Sequence, residues 1–107
     1  MVAYVIAERV QEWDRDVFAS YGPLAAASIA RFGGRYLALS EQSIVLEGEG
    51  NPLVVAVIEF PSMERAQAWY HSEDYQQAAC IRRNGARNRF IALESRELGP
   101  NTKDVPQ

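Results

Sequence analysis

The run LVVAVIEF at residues 53–60 is apolar at its first six positions, without an alternation of apolar and polar residues. Successive side chains of a strand point to opposite faces of the sheet, so a strand with one face in water alternates. We therefore predict a strand at 53–60 that is covered on both faces. The run VAYVIAER at residues 2–9 predicts a second strand, and it alternates only weakly.

Helical spacing of apolar residues begins at Gln11 and ends at the glycine pair 33–34, which favours the end of a helix. Pro23 is predicted to kink or interrupt this helix. The predicted stripe comprises Trp13, Val17, Tyr21, Leu24, Ser28 and Phe32, with Ala25 and Ile29 beside it.

The segments RYLALS (35–40) and SIVLE (43–47) predict a hairpin or one long bent strand. Ser62 and Ser72 are candidate N-caps for helices over 62–71 and 73–84. RNRFIALESRE (87–97) predicts the last strand, and residues 99–107 predict a flexible tail.

The order β-α-β-β-α-β predicts a ferredoxin-like α+β fold in one domain, residues 1–98: a four-stranded antiparallel sheet with two main helices on one face. Two helices leave the other face of the sheet bare, although the central strands are apolar there too. We predict a homodimer through this helix-free face. The alternative is that segment 40–52 folds over it.

Composition excludes several classes of protein. Eleven basic against 14 acidic residues give a net charge of −3, which argues against a nucleic-acid partner. No apolar run approaches the ~20 residues of a membrane span, and MVAYVIAER lacks the features of a signal peptide. One histidine and one cysteine cannot build the usual metal site, so no metal or cofactor is predicted. A soluble, cytoplasmic protein is the simplest interpretation.

Several segments carry a family resemblance: FGGRYL (32–37), VLEG (45–48), VIEFPSMERAQAWYHSEDYQ (57–76) and the arginine-bearing helix that follows. Together they resemble the family called domain of unknown function 1330, over roughly residues 2–97. The resemblance implies a dimeric α+β barrel, in which two ferredoxin-like sheets pack face to face. The wider superfamily includes cofactor-free monooxygenases, lactone isomerases and haem-degrading enzymes, but fold alone does not transmit function.

The segment AWYHSEDY (68–75) gathers several candidate site residues. His71 is a weak candidate for a base or ligand, because a position at a helix end, where the dipole favours positive charge, explains it better. Members of the resembled family commonly carry Asn or Asp there. Trp69 is predicted to lie in the core and Tyr70 at its rim, where Tyr70 is a second weak catalytic candidate.

Charged residues supply the remaining candidates. Glu59 is a weak catalytic candidate or half of an ion pair with Arg35 or Arg82. Arg82, Arg83, Arg87 and Arg89 form either a solvated face or a docking site for a carboxylate. The predicted ligand-binding set is Tyr21, Arg35, Glu59, Trp69, Tyr70, Tyr75 and Arg82.

Three functions are compatible with these patterns. The first is the binding or conversion of a small apolar or carboxylate-bearing molecule between sheet and helices. The second is a non-enzymatic structural dimer whose aromatic residues only build the core. The third is haem binding or breakdown, suggested by Trp69 near His71.

Overall fold

The computed structural model describes residues 1–98, and the predicted tail at 99–107 lies outside this range. The strands are β1 (Ala3–Glu12), β2 (Arg35–Ser40), β3 (Val54–Phe60) and β4 (Ala86–Glu94). The helices are α1 (Phe18–Arg31), preceded by a short 3-10 turn (Arg15–Val17), α2 (Met63–His71) and α3 (Glu73–Arg82).

The four strands form one sheet in the order β2-β3-β1-β4, and every neighbouring pair is antiparallel. The helices pack on one face. This is the ferredoxin-like α+β architecture, so the predicted fold class is confirmed. Of the described helices none is long and apolar enough to cross a membrane.

Alternation along the strands divides the sheet into two faces. Ala3 and Val5 of β1 lie opposite Phe60 and Ile58 of β3, and all four are buried beneath the helices. The intervening residues point the other way, where no helix covers them. We call this the open sheet face. Its apolar centre consists of Tyr4, Ile6, Val57, Ile91 and Leu93.

The core lies between the sheet and the helices. Trp69, Tyr75 and Phe60 are its largest fully buried side chains. Burial of each such ring stabilises the fold by on the order of 2–3 kcal/mol. Ser28 is also buried, but both of its hydrogen-bonding functions are satisfied: its hydroxyl donates to the Ala25 carbonyl at 2.7 Å and accepts from the Trp69 indole N–H at 2.9 Å.

The first helix begins later than the spacing of apolar residues predicted. β1 continues to Glu12, which pairs with Ala86 of β4, so the chain before Asp14 is held in the sheet. Trp13 is consequently 57% exposed, and Leu24, which was predicted on the buried stripe, is 47% exposed. Pro23 does not break the helix and lies inside a continuous α1.

The predicted strand at 43–47 is wrong. Residues 41–53 form a connection without helix or strand, and the outer edge of β2 is not paired with any strand of the described residues. Ile44 and Leu46 are 82% and 90% exposed. The segment runs beside Val10 and Val55 at one end of the open sheet face and leaves the centre uncovered.

The last strand is shorter than predicted. Glu94 pairs with Ala3, the first residue of β1, so β4 has no partner beyond this point. The turn between α1 and β2 is sharp: Gly33 has φ +78°, and a Cβ at Gly34 would lie 2.6 Å from the Phe60 ring. Both glycines are therefore required where the chain crosses from helix to sheet.

Candidate functional site

Two serine caps position the segment AWYHSEDY. The Ser62 hydroxyl accepts from the Arg65 N–H at the start of α2. The Ser72 hydroxyl accepts from the Tyr75 N–H at the start of α3 and donates to the Trp69 carbonyl at the end of α2. One side chain thus joins the two helices, and both predicted caps are confirmed.

The joint brings four aromatic rings together on the helix side of the sheet. The Trp69 and Tyr75 centroids are 4.3 Å apart, and Tyr70 lies 5.5 Å from Tyr75 and 5.7 Å from Phe90. Trp69 is buried and Tyr70 half-buried, as predicted. We call Trp69, Tyr70, Tyr75 and Phe90 the aromatic cluster.

Tyr21 of α1 extends this cluster. Its phenol oxygen lies 3.0 Å from that of Tyr75, and either hydroxyl can donate. Burial raises the pKa of Tyr21, and the neighbouring Tyr75 raises it further. Burial also raises the pKa of Tyr75, although its hydrogen bond with Tyr21 and the charge of Arg82 oppose the shift. Both phenols therefore stay protonated at neutral pH.

Arg82 is buried among these rings, with 4% of its surface exposed. Its guanidinium carbon lies 5.2 Å from the Phe90 centroid and 5.9 Å from the Tyr21 centroid. Within residues 1–98 no carboxylate forms an ion pair with Arg82. Its Nε atom is buried without a hydrogen-bond partner in the same range. A buried cation is ordinarily paired, so this arginine is exceptional.

A cavity of about 70 Å³ lies between the sheet and α1. Two further buried polar atoms without a partner in the described range belong to residues that line it, Arg9 Nε and Asn88 Oδ1. Arg9 and Asn88 are opposite each other on β1 and β4. The aromatic part of the wall is formed by Tyr21, Tyr36, Trp69 and Phe90.

Two surface grooves adjoin the aromatic cluster. One, between α2 and β4, is lined by Trp69, Tyr70 and His71. The other is lined by Tyr70, Arg82 and Arg83. Asn88 and Phe90 border both grooves and the inner cavity. Asn88 and Phe90 therefore lie between the groove that contains Arg82 and the cavity of about 70 Å³.

The structure does not bring Glu59 and Arg35 to this site. Ile58 and Phe60 point toward the helices, so Glu59 between them points to the open sheet face. There its Oε1 accepts a hydrogen bond from Arg35 Nε at 2.9 Å. The alternation of the strand thus separates these two candidates from Tyr21, Trp69, Tyr70, Tyr75 and Arg82, which the structure does bring together.

His71 is exposed in the last turn of α2, with its ring 5.3 Å from that of Tyr70. In the described part of the chain no three His, Cys, Asp or Glu side chains form a group that could hold a metal ion.

Sequence reasoning did not single out Arg9 and Asn88. Asn88 shares a strand face with Phe90 and Ala92, so a polar residue on an otherwise apolar face was the available signal. Arg9 gave no comparable signal, because its position beside the cavity depends on the pairing of β1 with β4.

The fold and the site define a class, the ferredoxin-like α+β proteins with a polar and aromatic cavity on the helix side of the sheet. The model of the family Domain of unknown function (DUF1330) matches residues 2–95, and the chain belongs to this family. No curated protein sequence matches the chain.

Solved structures share the fold at low sequence identity. A protein of unknown function from Rhodopseudomonas palustris is 18% identical, with a TM-score of 0.69 over 91% of this chain and 84% of that one. SnoaB, a cofactor-independent oxygenase from Streptomyces nogalater, is 16% identical, with a TM-score of 0.60 over 94% and 97%. A dimeric ferredoxin-like protein of unknown function from Jannaschia is 12% identical, with a TM-score of 0.67 over 89% and 100%.

Proposed function

We propose that the protein is a homodimer, formed through the open sheet face, in which each copy binds a small apolar molecule bearing a carboxylate at the aromatic cluster. The binding site and the interface lie on opposite faces of one sheet. Each copy therefore carries a whole site of its own.

Arg82 is the observation that supports the ligand class. Its charge is buried and has no acidic partner in residues 1–98, which leaves a site for an anion. A guanidinium binds a carboxylate through two parallel hydrogen bonds, and this interaction is stronger away from water. Aromatic walls on both sides favour a ligand with an apolar, planar body.

The Tyr21–Tyr75 pair adds hydroxyl donors beside the same cation. Because both phenols stay protonated, they offer hydrogen bonds without adding a negative charge that would repel a carboxylate.

The open sheet face supports the dimer. Its apolar centre is uncovered by any described residue of this chain, with Ile91 and Leu93 exposed by 37% and 41%. Contiguous exposed apolar surface of this kind marks an interface in most proteins. The relative from Jannaschia is described as dimeric, which agrees with this proposal.

Calorimetry and thermal unfolding with benzoate test the ligand class. Benzamide serves as the uncharged analogue, and sodium chloride at the same ionic strength serves as the salt control. We expect benzoate to raise the unfolding midpoint by binding the native state, and benzamide to raise it much less. Equal shifts for benzoate and benzamide would contradict the proposal.

The variant Arg82→Gln is expected to lose the benzoate effect, because the amide carries no charge. Arg65→Gln is the matched control, since Arg65 is exposed on α2 and lines neither the cavity nor the two grooves. Arg82→Lys keeps the charge, and its benzoate binding is measured instead if Arg82→Gln does not fold. Undiminished benzoate binding by folded Arg82→Gln would reject Arg82 as the anchor.

A further inference from the structure

We infer that the ligand also carries a hydroxyl group, which Asn88 recognises at the end of the site away from Arg82. This inference rests on the proposed function and narrows its ligand class to aromatic monocarboxylates with a hydroxyl substituent.

Two buried polar atoms of the cavity have no partner in residues 1–98. Asn88 Oδ1 accepts hydrogen bonds and Arg9 Nε donates them, and both are buried without a partner in residues 1–98. Arg9 and Asn88 are directly opposite on neighbouring strands, and both line the inner cavity. A hydroxyl group can donate to the first atom and accept from the second, so it matches both.

Arg9 and Arg82 differ in their acidic partners. Arg9 already has an acidic partner, because its Nη1 lies 2.9 Å from Glu12 Oε1. Arg82 has none in the described range. Arg82 is therefore the one buried positive charge of the site without an ion pair in residues 1–98, because Arg83 and Arg87 at the groove are exposed. One buried unmatched charge fits one carboxylate and a neutral second group better than a dicarboxylate.

Phe90 adjoins both recognition points. The Arg82 guanidinium carbon lies 5.2 Å from the Phe90 centroid. Asn88 lies two residues before Phe90 on the same strand face, a separation of about 7 Å along the strand. Arg82, Asn88 and Phe90 also line one groove, so a ligand in this groove can contact both polar side chains. A ring that carries its carboxylate and hydroxyl at opposite ends is the simplest such ligand.

Three ligands test the inference by calorimetry at pH 7 and constant ionic strength: benzoate, 4-hydroxybenzoate and 4-methoxybenzoate. All three are carboxylates at this pH, so they share the group bound by Arg82. Only 4-hydroxybenzoate can donate to Asn88. We expect its Kd to be about tenfold lower than those of the other two, a typical effect of one well-made buried hydrogen bond.

The variant Asn88→Leu removes the acceptor while keeping a similar volume. We expect the preference for 4-hydroxybenzoate to disappear, with the Kd for benzoate changed by less than about threefold. Asn51→Leu, in the exposed connection before β3, is the control and should keep the preference. Asn88→Ser serves as the second variant if leucine prevents folding.

The outcomes separate this inference from the proposed function. Equal Kd values for the three ligands in the wild type would overturn the inference and leave carboxylate binding intact. A preference that persists in folded Asn88→Leu would also overturn it. Failure of every carboxylate to bind would overturn the proposed function, and this inference with it.

Discussion

The phenol oxygens of Tyr21 and Tyr75 lie 3.0 Å apart and join α1 to α3 beneath the buried guanidinium of Arg82. We expect Tyr21→Phe to lower the free energy of unfolding by about 1 kcal/mol, because the Tyr75 hydroxyl loses its partner. Urea denaturation measures this loss. Tyr36→Phe is the control, since Tyr36 lies on the edge strand and is 42% exposed. An equal loss of unfolding free energy in both variants would contradict a stabilising hydrogen bond between Tyr21 and Tyr75.

The same phenols predict a loss of stability at alkaline pH. Burial raises the pKa of Tyr21, Tyr36 and Tyr75 above the ordinary value of 10.0. Above about pH 10 the unfolded chain releases phenolic protons that the folded chain keeps, so deprotonation favours unfolding. The contribution of these groups is fully present below about pH 10 and is lost as the pH rises further.

Urea midpoints measured between pH 8 and pH 11 test this expectation. The midpoint should fall steeply above about pH 10 in the wild type and less steeply in Tyr21→Phe. Identical slopes in the two proteins would exclude Tyr21 as a contributor.

Ser28 is predicted to contribute far more to the stability of the fold than its small side chain suggests. In Ser28→Ala the buried indole N–H of Trp69 loses its acceptor. We expect the free energy of unfolding to fall by about 1–3 kcal/mol, the usual cost of an unsatisfied buried donor. Ser20→Ala, at an exposed position of the same helix, should change it by less than about 0.5 kcal/mol. Guanidinium denaturation of the two variants gives the comparison.

Two glycines should respond oppositely to alanine. At Gly34 a Cβ would lie 2.6 Å from the Phe60 ring and 2.8 Å from Ile29 Cγ2, so Gly34→Ala should destabilise the fold. At Gly22, inside α1, a Cβ meets nothing within 4 Å. Gly22→Ala should therefore stabilise the protein by about 0.5–1 kcal/mol through helix propensity. Thermal unfolding midpoints that move in the same direction would contradict this contrast.

The interface is tested by Ile91→Glu on the open sheet face. We expect the wild type to be a dimer by light scattering at micromolar concentration, and this variant to be a monomer, because a carboxylate cannot be buried there without a partner. Leu24→Glu places the same charge at another exposed apolar position, on α1, and should remain dimeric. A monomeric wild type would reject the dimer proposed here.

Much of the fold could be predicted from local patterns. The serine caps, the glycine pair and the apolar run at 53–60 each act over a few residues, so α2, β3 and the helix–sheet turn were predicted within a few positions. The predicted start of α1 and the strand at 43–47 were wrong for a different reason. The start of α1 was decided by the pairing of β1 with β4, which is not readable from residues adjacent in the chain. Segment 43–47 has a local strand pattern but pairs with no strand of the described residues.

The site was only partly predictable for the same reason. Tyr75 and Arg82 were both predicted in the ligand-binding set, and they lie on the same helix. Tyr21 was identified as an aromatic on the buried stripe, but its hydrogen bond to Tyr75 joins residues 54 positions apart. Glu59 was predicted in the ligand-binding set, although strand alternation directs it to the opposite face.

The division of the sheet into two faces means that neighbouring residues of one strand face different environments. In β1 the odd-numbered residues Ala3 to Arg9 face the helices, and the even-numbered residues Tyr4 to Glu8 face away. In β4 the parity is reversed, with Asn88 and Phe90 toward the helices and Arg89 and Ile91 away from them. The proposed interface and the proposed ligand site would therefore depend on interleaved positions of the same strands, so that substitutions at even and odd positions would change one while preserving the other.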